Sequence, residues 1–246
     1  AKIHSLPAHI AQSYTNAMKD AGVSIKRKIV SPQGAIELIS KFDKYPSDYV
    51  LVDIGSDVTT VSLVGGKKLY SSRFFNWGGE NINKEVIDNL DINADDAEKF
   101  KLLYGLDNRQ LSFDPEISSY EDKDGKEIKH TLSEFNECIT RQLDVFVNHL
   151  NAALDSLFAS YDDVKYKTMP MLLIGGGSCL FGLKEYLSGK IPSKSITLVT
   201  PKTLGARNPA LFNCLGMILI NNKYPNAYDE NQAKIDSLGR NPKKEG

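Results

Sequence analysis

Three short strand-like segments separated by tight turns most constrain the fold of this chain. They are rich in β-branched and aromatic residues, as strands are; the segments are Tyr49–Ile54, Thr59–Val64 and Lys68–Phe75. The turns between them, Gly55–Asp57 and Gly65–Gly66, are too short to join anything but antiparallel neighbours. The sequence therefore predicts an antiparallel meander.

A second block, further along the chain, alternates helix and strand. A helical repeat of apolar residues predicts one long helix over Leu132–Ser160. The strand Met169–Ile174 then leads into Gly175–Gly177, a predicted helix over Phe181–Leu187 and a last strand over Ser195–Val199. This alternation is typical of an α/β fold.

The remaining segments are mostly helical in pattern. The predicted helices are Pro7–Ala21, Gln33–Lys41, Glu80–Leu90, Ala94–Tyr104 and Pro209–Ile220. Residues Ser24–Val30 alternate like a half-buried strand. The polar region after the fourth helix predicts strands or loops, and the polar tail from Asn221 predicts disorder.

The composition excludes several classes of function. A formal net charge of −1 gives no overall attraction to nucleic acid or to an anionic membrane. The 3 cysteines include no CxxC pair, which argues against a zinc site and a disulfide framework. No apolar run reaches the roughly 18 residues that a membrane-spanning helix needs. We therefore expect a cytoplasmic protein that does not bind nucleic acid.

The segment VDIGSDVTT, residues 52–60, places an acidic residue at a strand end before a tight turn. Such a turn can point backbone N–H groups at an anion. Asp53 could hold Mg²⁺ through water or polarise an attacking water, and Thr59 or Thr60 could donate to a phosphate oxygen. An ordinary hairpin turn with a solvated Asp53 explains the segment equally well.

The segment MLLIGGGSCLFGLKEYL, residues 171–187, runs from a strand through three glycines into a helix. Glycines let the backbone approach a ligand, and a helix N-terminus favours phosphate or ribose oxygens. Ser178 is placed to cap the turn. The pattern is not the GxxxxGK[ST] of a P-loop and does not fit the GxGxxG of dinucleotide folds. A plain strand-to-helix turn is the alternative.

The segment AEKFK, residues 97–101, puts Glu98 and Lys101 on one face of a predicted helix. The pair could clamp a base or a ribose. A solvated surface ion pair is the commoner outcome of this spacing.

The order of these motifs resembles that of the actin-like ATPase superfamily, and their detail resembles the bacterial cell-division family FtsA. VDIGSDVTT is similar to its second phosphate loop, LLIGGGSCLFGL to its adenosine loop and AEKFKLLYG to its Ala-Glu-x-x-Lys segment. GARNPALFNCLGMI resembles the family's last helix, and residues 7–38 resemble the end of its extra subdomain. The resemblance covers the chain to about Ile220, and the family's first phosphate loop would precede Ala1.

The resemblance implies a fold and four parts. The fold is an actin-like ATPase (ribonuclease H-like) α/β domain with a smaller inserted α+β subdomain. Residues 1–32 would end the extra N-terminal subdomain, 33–81 and 129–222 would form the nucleotide-binding core, 82–128 would be the inserted subdomain, and 223–246 would be a disordered tail.

The resemblance also implies the site residues. The phosphates would be lined by Asp53, Gly55, Ser56, Thr59 and Thr60, with Asp53 catalytic and holding Mg²⁺ through water. The adenosine would lie against Gly175, Gly176, Gly177, Ser178 and Leu180. Glu98 and Lys101 would flank the base or ribose, and Gly79 and Glu80 would lie at the cleft floor.

The implied function is that of an adaptor that binds ATP and Mg²⁺, self-associates into filaments and links a tubulin-like cell-division protein to the inner face of the cell membrane. The tail shows no apolar face for an anchoring helix. Asp57 adds negative charge beside the phosphates, and Thr60 stands where relatives often carry an acidic residue. We therefore expect ATP hydrolysis to be weak at most.

Three alternatives stay open at this stage. A PilM-like type IV pilus assembly protein shares the fold and the loops, and would bind a short peptide of a membrane partner. A small-molecule kinase is less favoured, because the 4 histidines lie far from the motifs in sequence. The third is a purely structural protein without nucleotide.

Overall fold

The computed structural model describes residues 8–25, 27–107, 112–121, 125–159 and 168–223. The strands are β1 (Tyr49–Ile54), β2 (Thr59–Gly65), β3 (Lys68–Phe75), β4 (Glu116–Glu121), β5 (Glu127–Thr131), β6 (Pro170–Ile174) and β7 (Ser195–Leu198). The α-helices are α1 (Ala8–Asp20), α2 (Ser31–Ile39), α3 (Gly79–Leu90), α4 (Ala94–Tyr104), α5 (Leu132–Phe158), α6 (Leu183–Ser188) and α7 (Phe212–Lys223). Gly176–Cys179 and Pro209–Leu211 form 3₁₀ turns.

A five-stranded mixed sheet in the order β3-β2-β1-β6-β7 forms the centre of the fold. Strands β1, β2 and β3 pair antiparallel, which confirms the predicted meander. Strands β1, β6 and β7 pair parallel, with Asp53 beside Ile174. Because the carboxyl ends of parallel strands meet at one sheet edge, the loops after β1 and β6 are brought side by side.

Apolar clusters cover both faces of the sheet. Val50, Val52 and Ile54 of β1 face a cluster built on α5. Tyr49 and Leu51, which alternate with them, face a second cluster with α2 and α7. A strand that is apolar on both faces is the pattern expected of a central parallel strand.

The polar region of the chain packs against α5. Helices α3 and α4 add apolar side chains to the α5 cluster, among them Val86 and Phe100. Strands β4 and β5 form a separate two-stranded antiparallel sheet. Ile117 and Tyr120 of β4 lie half-buried against the same cluster.

One predicted element is wrong. The described residues of the segment Ser24–Val30 form no strand. A strand forms only where a neighbouring strand can accept and donate its backbone hydrogen bonds. This segment instead contacts α7 through Arg27, whose Nη1 donates to the carbonyl of Ile220 at 3.3 Å. The disorder predicted from Asn221 is wrong for residues 221–223, because α7 continues to Lys223. The tail from residue 224 onward lies outside the described residues, so its predicted disorder stays a prediction.

Two predicted helices begin later than expected. Gly182 adopts a left-handed φ of 80° that separates the 3₁₀ turn from α6, so α6 starts at Leu183 rather than Phe181. Likewise a 3₁₀ turn, Pro209–Leu211, precedes α7, which starts at Phe212.

Candidate functional site

The loops that follow β1 and β6 touch each other. Gly55 N–H donates to Val58 O at 3.0 Å, which closes the first turn. A Cβ on Gly177 would stand 2.5 Å from Ile54 Cγ2 and 3.2 Å from Gly55 O. The second loop can approach the first this closely only because residue 177 is glycine.

The glycine run is held in place by a hydroxyl cap. Gly175 has a left-handed φ of 86°, and its N–H donates to Pro209 O at 3.3 Å. The buried Ser178 Oγ donates to Gly175 O at 2.6 Å, which confirms that Ser178 caps the turn. The hydroxyl hydrogen of Ser178 is therefore committed to the loop itself.

The start of α3 is tied to the first loop. The N–H of Gly79 donates to Gly55 O at 3.0 Å, and the N–H of Glu80 donates to Ser56 O at 2.9 Å. These carbonyls satisfy amides that a helix N-terminus would otherwise leave unpaired. These two hydrogen bonds therefore fix the start of α3 to the turn that follows β1.

A cavity of about 310 Å³ opens between these parts. Its lining contains most of the predicted site residues: Gly55, Ser56, Gly79, Glu80, Glu98, Lys101, Gly176, Gly177 and Leu180. It also contains residues that the sequence analysis did not single out: Ile82, Leu102, Cys179 and Asn208. A larger opening of about 980 Å³ lies at the opposite edge of the sheet and contains none of the predicted residues.

Glu98 and Lys101 belong to a connected polar network on one wall of the cavity. Lys101 Nζ donates to Glu98 Oε2 at 2.5 Å and to Gly79 O at 3.2 Å. Asn83 Nδ2 donates to Glu98 Oε2 at 2.7 Å and to Glu80 Oε2 at 2.9 Å. The Lys101 side chain is only 13% exposed, whereas that of Glu98 is 47% exposed, so the cation of this pair is shielded from solvent and the carboxylate is not.

The network sets the charge of Glu98. Burial alone would raise the pKa of its carboxyl, but hydrogen bonds from Lys101 and Asn83 and the Lys101 charge outweigh burial. The pKa of Glu98 therefore lies below its ordinary value. Lys101 thus faces an ionised carboxylate, and the two charges largely offset each other.

Two predicted phosphate donors lie away from the cavity. Thr59 is fully buried, and its Oγ1 donates to Trp77 O at 2.8 Å, so its hydrogen is committed to the fold. Thr60 is half-buried in β2, opposite Asp53. Neither residue lines the cavity.

Asp53 is half-buried at the end of β1, behind the glycine wall of the cavity rather than on it. Asn213 Nδ2 of α7 donates to Asp53 Oδ2 at 2.6 Å. Burial raises the pKa of Asp53, and the hydrogen bond from Asn213 partly opposes that rise. Asn213 lies within the segment GARNPALFNCLGMI, whose pattern gives no sign of this contact because the partner is 160 positions away.

The donor set around Asp53 fits only one kind of magnesium site. The described residues contain no group of three or more His, Cys, Asp or Glu side chains that could hold a metal ion. Mg²⁺ is commonly held by one or two carboxylates, its own waters and the phosphates of a nucleotide. A single half-buried carboxylate beside a glycine loop fits that mode and no protein-only metal cage.

Comparison with known families gives the identity. The family model described as "Cell division protein FtsA" matches residues 50–216, more than half of the chain. The chain belongs to the FtsA family. The family match thus confirms the resemblance carried by the two loops and the Ala-Glu-x-x-Lys segment.

Individual FtsA proteins match at low identity. The cell division protein FtsA of Enterococcus hirae is 22% identical over 215 residues, covering 86% of this chain and 47% of that protein. The FtsA of Streptococcus pneumoniae is 21% identical over 217 residues, covering 87% of this chain and 46% of that protein. The chain spans about half the length of the curated relatives it matches.

Solved structures confirm the predicted actin-like fold. MreB5 of Spiroplasma citri bound to ADP superposes with a TM-score of 0.66 at 14% identity, covering 90% of this chain and 68% of that one. A PilM–PilN type IV pilus biogenesis complex gives 0.63 at 17% identity, covering 85% and 56%. A MamK double helical filament gives 0.61 at 15% identity, covering 89% and 66%.

Proposed function

We propose that this FtsA-family chain binds ATP together with Mg²⁺ and acts in bacterial cell division as an actin-like protein. The observation that supports this most is the parallel pairing of β1 with β6, which places both predicted loops around one cavity. The related MreB5 has been solved with ADP and with AMPPNP, which supports a nucleotide as the ligand.

The proposed roles follow the walls of the cavity. Gly55 and Ser56 lie at the phosphate end, because their turn follows the strand that carries Asp53. Gly176, Gly177 and Leu180 form the adenosine wall. Glu98, which accepts from Asn83 and Lys101, presents a carboxylate to the ribose or the base, and Lys101 presents an ammonium. Gly79 and Glu80 form the floor between the two.

Asp53 would hold Mg²⁺ through water, and the ion would supply positive charge to the phosphates. The protein's own part is to orient this carboxylate at the end of β1, where Asn213 Nδ2 donates to it. We propose that hydrolysis is at most weak, because the exposed Asp57 brings negative charge to the same turn. In this weak hydrolysis Asp53 would be the residue that polarises the attacking water.

Assembly is the second half of the proposal. The related MamK was solved as a double helical filament, which supports self-association of this fold. We propose filaments of this protein that bind a tubulin-like division protein at the inner face of the cell membrane. Within the described ranges, no helix has the length and apolar character needed to cross a bilayer.

The division into four parts, 1–32, 33–81 with 129–222, 82–128 and 223–246, stays a proposal. Helices α3 and α4 share one apolar cluster with α5, so the inserted subdomain is joined to the core by a continuous interior. The pilus-assembly alternative rests on likeness of fold alone, at 17% identity. The family match favours cell division.

Isothermal titration calorimetry with Mg²⁺–ATP tests the binding half of the proposal. We expect saturable binding by the unaltered chain and none by Gly176→Val, because residue 176 lines the cavity. Asp53→Ala should lose the affinity that Mg²⁺ adds. Gly189→Ala is the matched control, since a Cβ there meets nothing closer than 3.7 Å and the residue lies outside the site. A titration of the unaltered chain without saturable heat would overturn the proposal.

A further inference from the structure

We infer that Asn213 is a positioning residue, whose side-chain amide orients the Asp53 carboxylate for the magnesium ion that accompanies the nucleotide. The inference rests on the proposed function, because it needs Asp53 to act on Mg²⁺. Asn213 lies on α7, 160 positions further along the chain than Asp53. It is not among the residues that line the cavity, so it would act through Asp53.

The hydrogen bond fixes one oxygen of the carboxylate. Asn213 Nδ2 donates to Asp53 Oδ2 at 2.6 Å. An ionised carboxylate only accepts hydrogen bonds, whereas a side-chain amide carries two N–H donors on its nitrogen. A donor to one oxygen stops the carboxylate from turning about its last bond.

The other oxygen is thereby directed at the glycine run. Asp53 Oδ1 lies 2.6 Å from the position that a Cβ on Gly175 would take. Gly175 N–H donates to Pro209 O, so that amide is not the partner of the carboxylate. The bond from Asn213 therefore leaves Oδ1 on the side of Asp53 that faces the loop.

Among the described residues, the Asn213 side chain makes no hydrogen bond other than the one to Asp53. Its Oδ1 is buried and has no hydrogen-bond partner within the described part of the chain. Burying an unpaired amide oxygen opposes folding. A side chain kept for packing alone would not carry that oxygen, so the donation to Asp53 is the contribution that distinguishes asparagine here.

The backbone of Asn213 is held by a close helix crossing. A Cβ on Gly34 of α2 would stand 3.1 Å from Asn213 O. A Cβ on Gly216, one turn further along α7, would collide with the carbonyl oxygen of Gly34. The two glycines thus allow α7 to pack closely against α2. This close packing fixes the distance between Asn213 and Asp53.

Calorimetry of ATP binding, with Mg²⁺ and then with excess EDTA, tests this role. Asn213→Leu keeps a similar volume but cannot donate, so we expect about a tenfold loss of the affinity that Mg²⁺ adds. ATP affinity in EDTA should stay within about twofold of the unaltered chain, since the residue is outside the cavity. Asn213→Ser, which keeps a donor, should recover part of the Mg²⁺ effect. Cys214→Ala, the next residue and an exposed one, should change neither value.

Two results for the Mg²⁺ dependence of ATP binding would contradict this role of Asn213. Equal Mg²⁺ dependence in Asn213→Leu and the unaltered chain would overturn the inference. An equal loss of ATP affinity with and without Mg²⁺ would also overturn it, because that is the result of a merely structural role. If Asn213→Leu does not fold, Asn213→Ala, which also lacks a side-chain donor, is compared with the unaltered chain on the same criteria. Absence of ATP binding by the unaltered chain would instead remove the proposed function itself.

Discussion

Neighbouring glycines in the second loop have different tasks. A Cβ on Gly175 would collide with the carbonyl oxygen of Ile54, and the residue adopts a left-handed φ of 86°. Gly176 has ordinary backbone angles available to any residue, and a Cβ there would meet only Ala210 Cβ at 3.6 Å. The fold therefore requires glycine at position 175. At position 176 the fold would accept a larger residue, so the space left there by glycine is available to a ligand.

Alanine at these two positions should separate stability from binding. Gly175→Ala should lower the free energy of unfolding by about 1–3 kcal/mol, the usual cost of a strained backbone position. Gly176→Ala should unfold within about 0.5 kcal/mol of the unaltered chain and lose only ATP affinity. Urea unfolding followed by circular dichroism measures the first quantity. A Gly175→Ala variant as stable as Gly176→Ala would contradict this account of the turn.

At the residue scale, the sequence predicted local interactions and missed distant ones. Ser178 was predicted as a cap because its partner, Gly175, is three positions away. Glu98 and Lys101 were predicted to share a helix face for the same reason. Asn213 pairs with Asp53 across 160 positions, and only the helix crossing and the strand order bring the two together. The predicted role of Thr59 overlooked the Trp77 carbonyl, which captures its hydroxyl.

At the scale of elements, hydrogen-bonded side chains clamp α3 onto α5. Arg141 Nε donates to Glu85 Oε1 at 2.7 Å, and Gln142 Nε2 donates to Glu85 Oε2 at 2.9 Å. Burial alone would raise the pKa of Glu85, but these hydrogen bonds and the Arg141 charge outweigh burial and lower it. The folded state therefore favours the ionised form of Glu85.

The clamp predicts a pH-dependent contribution to stability. A depressed pKa in the folded state stabilises the protein above 4.5, the ordinary value for this group, and the contribution is lost as the pH falls through the folded pKa. Glu85→Gln should cost under about 1 kcal/mol at neutral pH, since solvent screens the pair, and nothing at acid pH. Urea unfolding at both pH values measures this, with exposed Glu137→Gln on α5 as the control. A constant difference at both pH values would show that the charge is not the cause.

Helices and strands with strong periodicity were predictable, and those that depend on a distant partner were not. The apolar repeat predicted the position of α5, because 12 buried residues lie along one side of this helix. The segment 24–30 shows the opposite case, since its alternation predicted a strand and its described residues pair with none of the described strands. Periodicity reports burial, whereas a strand also needs a partner for its backbone.

At the scale of the whole molecule, one sheet joins two apolar clusters and carries the cavity at its edge. Strands β1 and β6 each send alternate side chains into both clusters. The cavity is lined by loops that follow these same two strands. A ligand bound there contacts the part of the sheet on which both clusters depend, so its binding free energy should stabilise the whole fold rather than one loop.

Thermal unfolding with Mg²⁺–ATP tests this coupling. A ligand at about 100 times its dissociation constant adds roughly 2.7 kcal/mol to the folded state. For a domain of this size each kcal/mol raises Tm by about 2–4 °C, so the expected shift is roughly 5–10 °C. Differential scanning calorimetry should show one transition that moves as a unit. Gly176→Val should melt close to the unliganded protein and show no shift, because its cavity no longer admits the ligand. Two transitions, of which only one responds to Mg²⁺–ATP, would mean that the clusters unfold independently and that the sheet does not couple them.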